Sequence, residues 1–392
     1  MKFLSFTAGL LASFLLSSPS FAEQKPPKDD VFSKNYIKET MLKVTDWQLS
    51  NPKHKATDWT NGAFYAGVMA AYETTKSSRI LDSLMLMGER NNWLPGNRYD
   101  HADDIAICQT YIDLYRIKKD RRMIQATIDT VQKIRKVPGV EVKRHGITWW
   151  WCDALFMAPP VLAKLSKTLN DPSYLTQNDT LFKQTYDLLY NTEEDLYARD
   201  ASYLVNASGE GKKEANGKKI FWSRGNGWVM GGLVRVLQEL PKNHPQRDFY
   251  LTQFKEMSNR LAALQQADGL WRSSLLDPES FPGGEGSGSG FNYQKYNWDG
   301  NPACCGEGSG SGFNCYAMAW GINQGILDKA KFKPVVQKAW TGLNTLLTPA
   351  GKVGWVQPIG ADPRRNFNAE SWEVYGAGAY LLAGSEVIKM KW

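Results

Sequence analysis

The chain has 392 residues, 12% of them aromatic with 15 Trp, and a formal charge of +7 at neutral pH. Its Lys and Arg are scattered among acids and form no basic stripe, which argues against a nucleic-acid partner and fits an anionic small or polymeric substrate. Beyond the N-terminal leader there is no long uninterrupted apolar run, so no membrane-spanning segment is expected.

In chain order, residues 1–22 read as a secretory signal. Lys2 is the short positive region, Leu4 to Leu16 the apolar region, and Ser20-Phe21-Ala22 a small-x-small cleavage pattern. The expectation is an exported protein, periplasmic or secreted, with residues 23–30 a flexible lead-in and 31–392 a single domain. Helical periodicity dominates from Val31 onward. Helices are predicted over 31–49, 63–75, 77–91, 104–117, 121–135, 152–169, 171 to about 190, 226–240, 245–265, 312–327, 334–347 and 371–389. The Gly-, Lys- and Asn-rich stretch 196–221 reads as a loop or small hairpin.

Twelve helices without βαβ alternation give an all-α fold. Three helix patterns rich in Gly and Ala (62–71, 225–232 and 376–384) are apolar all round and read as inner helices, the amphipathic ones as outer. That alternation suggests six hairpins closed into an (α/α)6 barrel. The open alternative, a helical solenoid, lacks its repeated motif at a fixed period.

One internal repeat stands out. Gly-Glu-Gly-Ser-Gly-Ser-Gly-Phe-Asn occupies Gly284 to Asn292 and again Gly306 to Asn314. We read a tandem duplication that lengthens a loop over about 284–314, with Tyr293, Tyr296 and Trp298 between the copies. The five Cys are odd in number and irregularly spaced, which is no disulfide framework. Cys108 and Cys152 read as small core residues, whereas Cys304 and Cys305 are left open between one pairing with Cys315 and both staying free. There is no CxxC pair, no HExxH motif and no His cluster, so neither a metal nor a cofactor is expected.

The chemistry concentrates at Thr148 to Pro160. Trp149, Trp150 and Trp151 run into Asp153 at the head of an apolar helix pattern. Indole faces suit the C–H faces of sugar rings. A carboxyl set in an indole wall is desolvated, which favours the protonated form a general acid needs. The other reading is a buried aromatic cluster with Asp153 as a helix N-cap, and this stretch does not separate the two.

Further stretches join it: Asp104-Ile105-Ala106 in a Tyr-rich helix, Trp222-Ser223-Arg224-Gly225-Asn226-Gly227-Trp228, the Gly-Ser-Gly-Phe-x-x-Tyr-Ala-Met-Ala-Trp-Gly run ending at Gly321, and Glu373 to Ala383. In this order, from about Val31 to Lys389, the chain resembles the unsaturated uronyl hydrolases, namely the unsaturated rhamnogalacturonyl and glucuronyl hydrolases of glycoside hydrolase families 105 and 88. The resemblance implies an (α/α)6 barrel and removal of a 4,5-unsaturated uronic acid from the non-reducing end of lyase-generated oligosaccharides. Rhamnogalacturonan fragments come first among substrates. Other unsaturated uronides (ulvan or glycosaminoglycan type), a polysaccharide lyase and a non-catalytic sugar-binding protein are the alternatives.

The resemblance implies Asp153 as general acid/base and Asp104 as its partner carboxylate, with Asp103 a solvent-side cap. It implies Trp222, Arg224 and Trp228 as a substrate wall, Arg224 meeting a carboxylate through paired donors. The other reading of Arg224 is a helix-start residue paired with a structural acid. Trp59, His145 and Trp151 complete the substrate-binding candidates. The chain departs from the family pattern at two points. Of a His-Lys pair before the acid, only His145 stands here, behind Lys143 and Arg144. A His that some members use after the seventh helix falls near Arg199-Asp200.

Overall fold

The computed structural model describes residues 31–137, 139–279, 306–363 and 365–392. The expected secretory signal and lead-in, the first Gly/Ser copy, Tyr293, Tyr296, Trp298, Cys304 and Cys305 lie outside the described residues.

Fourteen α-helices occur among the described residues. They are α1 (Lys34–Ser50), α2 (Trp59–Thr75), α3 (Ser78–Arg90), α4 (Cys108–Lys118), α5 (Arg122–Lys136), α6 (Val140–His145), α7 (Ala154–Met157), α8 (Pro159–Leu169), α9 (Ser173–Leu189), α10 (Ser223–Leu237), α11 (Arg247–Leu264), α12 (Gly308–Asn323), α13 (Lys329–Thr345) and α14 (Val374–Val387). A closed inner ring runs α2, α4, α7 with α8, α10, α12, α14 and back to α2. Around it, α1 packs on α2 and α14, α3 on α2 and α4, α5 on α4, α9 on α8, α11 on α10 and α12, and α13 on α12 and α14. The result is the expected six-hairpin (α/α)6 barrel.

The ring closes because its helices carry almost nothing beyond the backbone where they touch. A Cβ on Gly67 of α2 would stand 2.5 Å from the carbonyl oxygen of Gly378 in α14. One on Gly232 of α10 would stand 2.1 Å from that of Leu155. Every residue of α10 and of α14 is buried, as helices apolar all round must be. None of the described helices is long and apolar enough to cross a membrane.

Three elements differ from the expected boundaries. α12 starts inside the second Gly/Ser copy, where a loop was expected: Glu307 accepts from the amides of Ser309 (3.2 Å) and Gly310 (2.6 Å) and nucleates the helix. The Gly positions also let this turn lie against its neighbours, since a Cβ on Gly312 would touch Ala379 at 2.8 Å. The predicted helix 152–169 breaks at Ala158, because Pro159 and Pro160 have no N–H to continue the ladder. The hairpin starts earlier than expected, pairing Tyr190 with Tyr197 and Asn191 with Leu196. Cys315 is buried and free, so it makes no bridge; Cys108 and Cys152 are also buried and free.

The inner helices run in one direction, so their N-termini gather at one rim. Asp58 caps α2 there, Asp153 precedes α7, Trp222 precedes α10, Glu307 caps α12 and Glu373 precedes α14. The far ends of α4, α8 and α10 are tied by buried ion pairs, Lys164 to Asp113 at 2.5 Å and Arg116 to Glu239 at 2.8 Å.

Candidate active site

Asp153 is buried at the rim and occupies the N-cap position of α7, but its side chain caps no helix amide. Its segment is fixed from both sides. The Cys152 amide donates to the Arg199 carbonyl at 2.8 Å, and Trp151 bridges to Asp200 in antiparallel fashion. The Cys152 thiol donates to Asp153 Oδ1 across 3.2 Å. Burial raises the Asp153 pKa, and the guanidinium charges of Arg199 and Arg224 oppose that rise.

The two neighbouring acids part company in the 3₁₀ turn Ala102–Ile105. With three residues per turn, adjacent side chains diverge by about 120°. Asp104 turns toward its own loop. Its Oδ2 accepts from the Arg98 amide at 2.7 Å, and its Oδ1 accepts from Arg98 Nε at 3.0 Å and from the terminal nitrogen at 2.5 Å. Asp103 stays out of that cluster, its Oδ2 lying 3.7 Å from His101 Nδ1. Burial, reinforced by the Asp153 charge, pushes its pKa up to about 8. Of the two acids, Asp103 is thus the one on which the Asp153 charge acts, while Asp104 is engaged by Arg98. Next to them His101 lies against Trp151 with ring centroids 4.7 Å apart. Burial first, then the Arg98 charge, lower the His101 pKa and keep the imidazole neutral.

The aromatic candidates fall into two layers. Trp222 and Trp228 are buried. Trp222 donates its indole N–H to Gln357 Oε1 at 2.7 Å, and Trp228 packs among Phe156, Phe313, Trp59 and Tyr375. Trp151 is also buried. Trp59 and Trp150 are only half-buried at the rim. Trp59 stacks on Tyr375 at 5.4 Å. Trp150 is held by its N–H to Glu141 (2.5 Å) and by the stacked ring of His145 (3.9 Å).

Arg224 is fully buried between Trp222 and Tyr375, at 4.3 Å and 4.9 Å from their ring centroids. Its two terminal nitrogens donate to the carbonyls of Gln357 (2.5 Å) and Pro358 (2.9 Å). The fork is thus closed by backbone, and its partner is neither a substrate-facing gap nor a structural acid. Arg199 is less buried, pairs through one nitrogen with Asp200 at 2.6 Å and lies 5.4 Å from the Trp150 ring centroid. Among the described residues no group of three or more His, Cys, Asp or Glu side chains is placed to hold a metal.

Sequence reasoning weighed Asp103 as the rival of Asp104 but set it aside as a solvent-side cap, passed over His101 and Trp150 as site residues, and left Arg199 only as a point of departure. Trp150 carried a signal: in an extended run the side chains alternate, and Trp149 and Trp151 both point inward.

Comparison with known proteins agrees with this architecture. The glycosyl hydrolase family 88 model matches residues 32–298 and 299–391, its break falling between the two Gly/Ser copies. A curated relative from Formosa agariphila, an unsaturated 3S-rhamnoglycuronyl hydrolase, is 41% identical over 91% of this chain and 91% of its own length. A solved polysaccharide lyase is 32% identical, with a TM-score of 0.78 over 91% of this chain and 97% of its own. A solved family 88 glycosyl hydrolase from Bacteroides vulgatus is 30% identical, with a TM-score of 0.78 over 91% of this chain and 100% of its own. The chain belongs to glycosyl hydrolase family 88 and is a glycoside hydrolase.

Proposed function

We propose that the protein removes a 4,5-unsaturated uronic acid from the non-reducing end of lyase-generated oligosaccharides, acting on rhamnose-linked unsaturated glucuronyl units. The observation that carries the reading is the carboxyl pair Asp103 and Asp153. They lie at a rim furnished with half-buried indoles; the Asp103 pKa is pushed up to about 8, and burial raises that of Asp153. Near neutral pH such a pair retains one proton, the state an acid/base step requires. The name of the Formosa agariphila relative favours the rhamnoglycuronyl class over rhamnogalacturonan fragments.

In this reading Asp153 delivers a proton to C4 of the double bond. Positive charge then develops at C5 and is shared with the ring oxygen. A water molecule gives a proton to the carboxylate pair and bonds to C5. The resulting hemiketal opens, and the aglycone leaves without attack at the anomeric carbon. The separation rule for the two carboxyls of ordinary glycosidases therefore does not apply. Trp59 and Trp150 offer the faces on which sugar rings stack. The leader of residues 1–22 supports export of the protein.

A panel of unsaturated oligosaccharides released by lyases from ulvan, rhamnogalacturonan and glycosaminoglycans tests the proposal. The ultraviolet absorbance of the conjugated double bond should fall, and fastest on the ulvan-derived members. A second reading, a lyase, is favoured by the name of one solved neighbour. It requires the absorbance to rise on intact polymer.

A further inference from the structure

We infer that Arg199, and not Arg224, receives the carboxylate of the unsaturated uronate and so sets the sugar against Asp153. This rests on the function proposed above and names the anion anchor of that site.

Arg224 has no fork to offer. Both terminal nitrogens are engaged by the carbonyls of Gln357 and Pro358, and aromatic rings cover the guanidinium. A carboxylate reaching it would have to displace two backbone hydrogen bonds in the buried interior, where each lost partner is costly.

Arg199 differs in its exposure and in the partners of its terminal nitrogens. Its side chain is 20% exposed, and a single nitrogen pairs with Asp200. Guanidinium carries five donors. Its position relative to Asp153 is built into the backbone, because the Arg199 carbonyl is bonded to the Cys152 amide and Asp200 bridges to Trp151. Arg199 is also the charge that most strongly favours the ionised form of Asp153, which places the guanidinium close to that carboxyl. Beside it, Trp150 presents the half-buried indole on which a sugar can stack.

The substrate's geometry matches this arrangement. In a 4,5-unsaturated uronate the carboxylate is attached to C5, one bond from the alkene carbon that must be protonated. A carboxylate held at Arg199 brings C4 to the neighbouring acid, and the paired donors of guanidinium fix its orientation as well as its distance.

The test compares an unsaturated glucuronyl-rhamnose disaccharide with its methyl ester, whose carboxyl is uncharged. Turnover is followed in the wild type, Arg199→Ala and Arg199→Lys. Binding of both compounds is titrated calorimetrically in an Asp153→Asn background, with and without Arg199→Ala. The wild type should favour the acid over the ester. Arg199→Ala should lose about 10–100-fold in kcat/KM on the acid and less than about threefold on the ester. Lys should restore part of the preference, since it keeps charge without the fork. The calorimetric preference should collapse in the same way. Four results overturn the inference: no wild-type preference for the acid, a preference that survives Arg199→Ala, equal losses on both compounds with a lowered Tm, or no binding of the acid in the Asp153→Asn background. Failure of the functional proposal reads differently, as no absorbance change with any unsaturated uronide in the wild type.

Discussion

Replacing Arg224 by Ala separates a structural from a recognition role at the residue the sequence singled out most strongly. The truncation deletes two charge-assisted hydrogen bonds. Gln357 keeps another donor, the Tyr375 hydroxyl at 2.6 Å, but Pro358 loses the one that Arg224 supplied. It also opens a gap between two aromatic faces in a fully buried site. The orphaned carbonyl and the gap together cost about 2–4 kcal/mol, after allowing for the relief of guanidinium desolvation. For a domain of this size that is a fall in Tm of about 3–5 °C. The charge of Arg224 also opposes the burial-driven rise at Asp153, so the alkaline limb of the pH profile, set by loss of the Asp153 proton, should move upward. Differential scanning calorimetry and a pH series of kcat/KM read the two effects. An unchanged Tm with a large loss of affinity for acid but not ester would refute the reasoning, because it would put the fork of Arg224 on the substrate.

Asp153→Asn keeps the shape of the side chain and removes its proton, so turnover should drop about 10²–10⁴-fold with the helical circular dichroism intact; wild-type turnover would exclude Asp153 from the chemistry. Asp103→Asn should also be nearly inactive, and its stability carries a pH signature. The Asp103 carboxyl holds its proton in the folded state up to about 8, whereas an ordinary carboxyl loses it near 3.8, so folding is penalised increasingly as pH rises between those values. The Asn variant should therefore equal the wild type in Tm below that window and exceed it at alkaline pH, and an equal Tm at both ends would remove the buried-pair assignment. Asp104→Asn should lower kcat/KM far less than Asp103→Asn, because it releases Arg98 and the loop before the 3₁₀ turn rather than the acid facing Asp153; the reverse order of damage in steady-state kinetics would restore Asp104 as the partner.

The parts of this molecule legible in the sequence are those set by period and by size. Twelve helical segments showed in the apolar spacing, and the Gly- and Ala-rich ones proved to be the inner ring, where backbone touches backbone. Asp153 and its indoles were visible as a composition no surface helix needs. What stayed hidden depends on direction rather than identity. Asp103 and Asp104 are chemically identical neighbours, and only the 3₁₀ turn decides which faces Asp153. Arg224 looked like a carboxylate clamp because the sequence does not reveal that residues 357 and 358 return across the barrel to close its fork. The Gly/Ser text at 306–312 read as loop because Gly disfavours helix on its own. Glu307 and the need for close packing against α10 and α14 override that preference.

The account rests on proton delivery to C4 of an unsaturated uronate by the carboxyl pair at the rim. Turnover in deuterium oxide tests this directly, with the released uronate followed by proton and carbon nuclear magnetic resonance. The account predicts that the C4=C5 bond disappears at the rate the aglycone is freed, and that one solvent deuterium is found on C4 of the product. Release of a uronate that still carries its double bond, with no deuterium at C4, would contradict it.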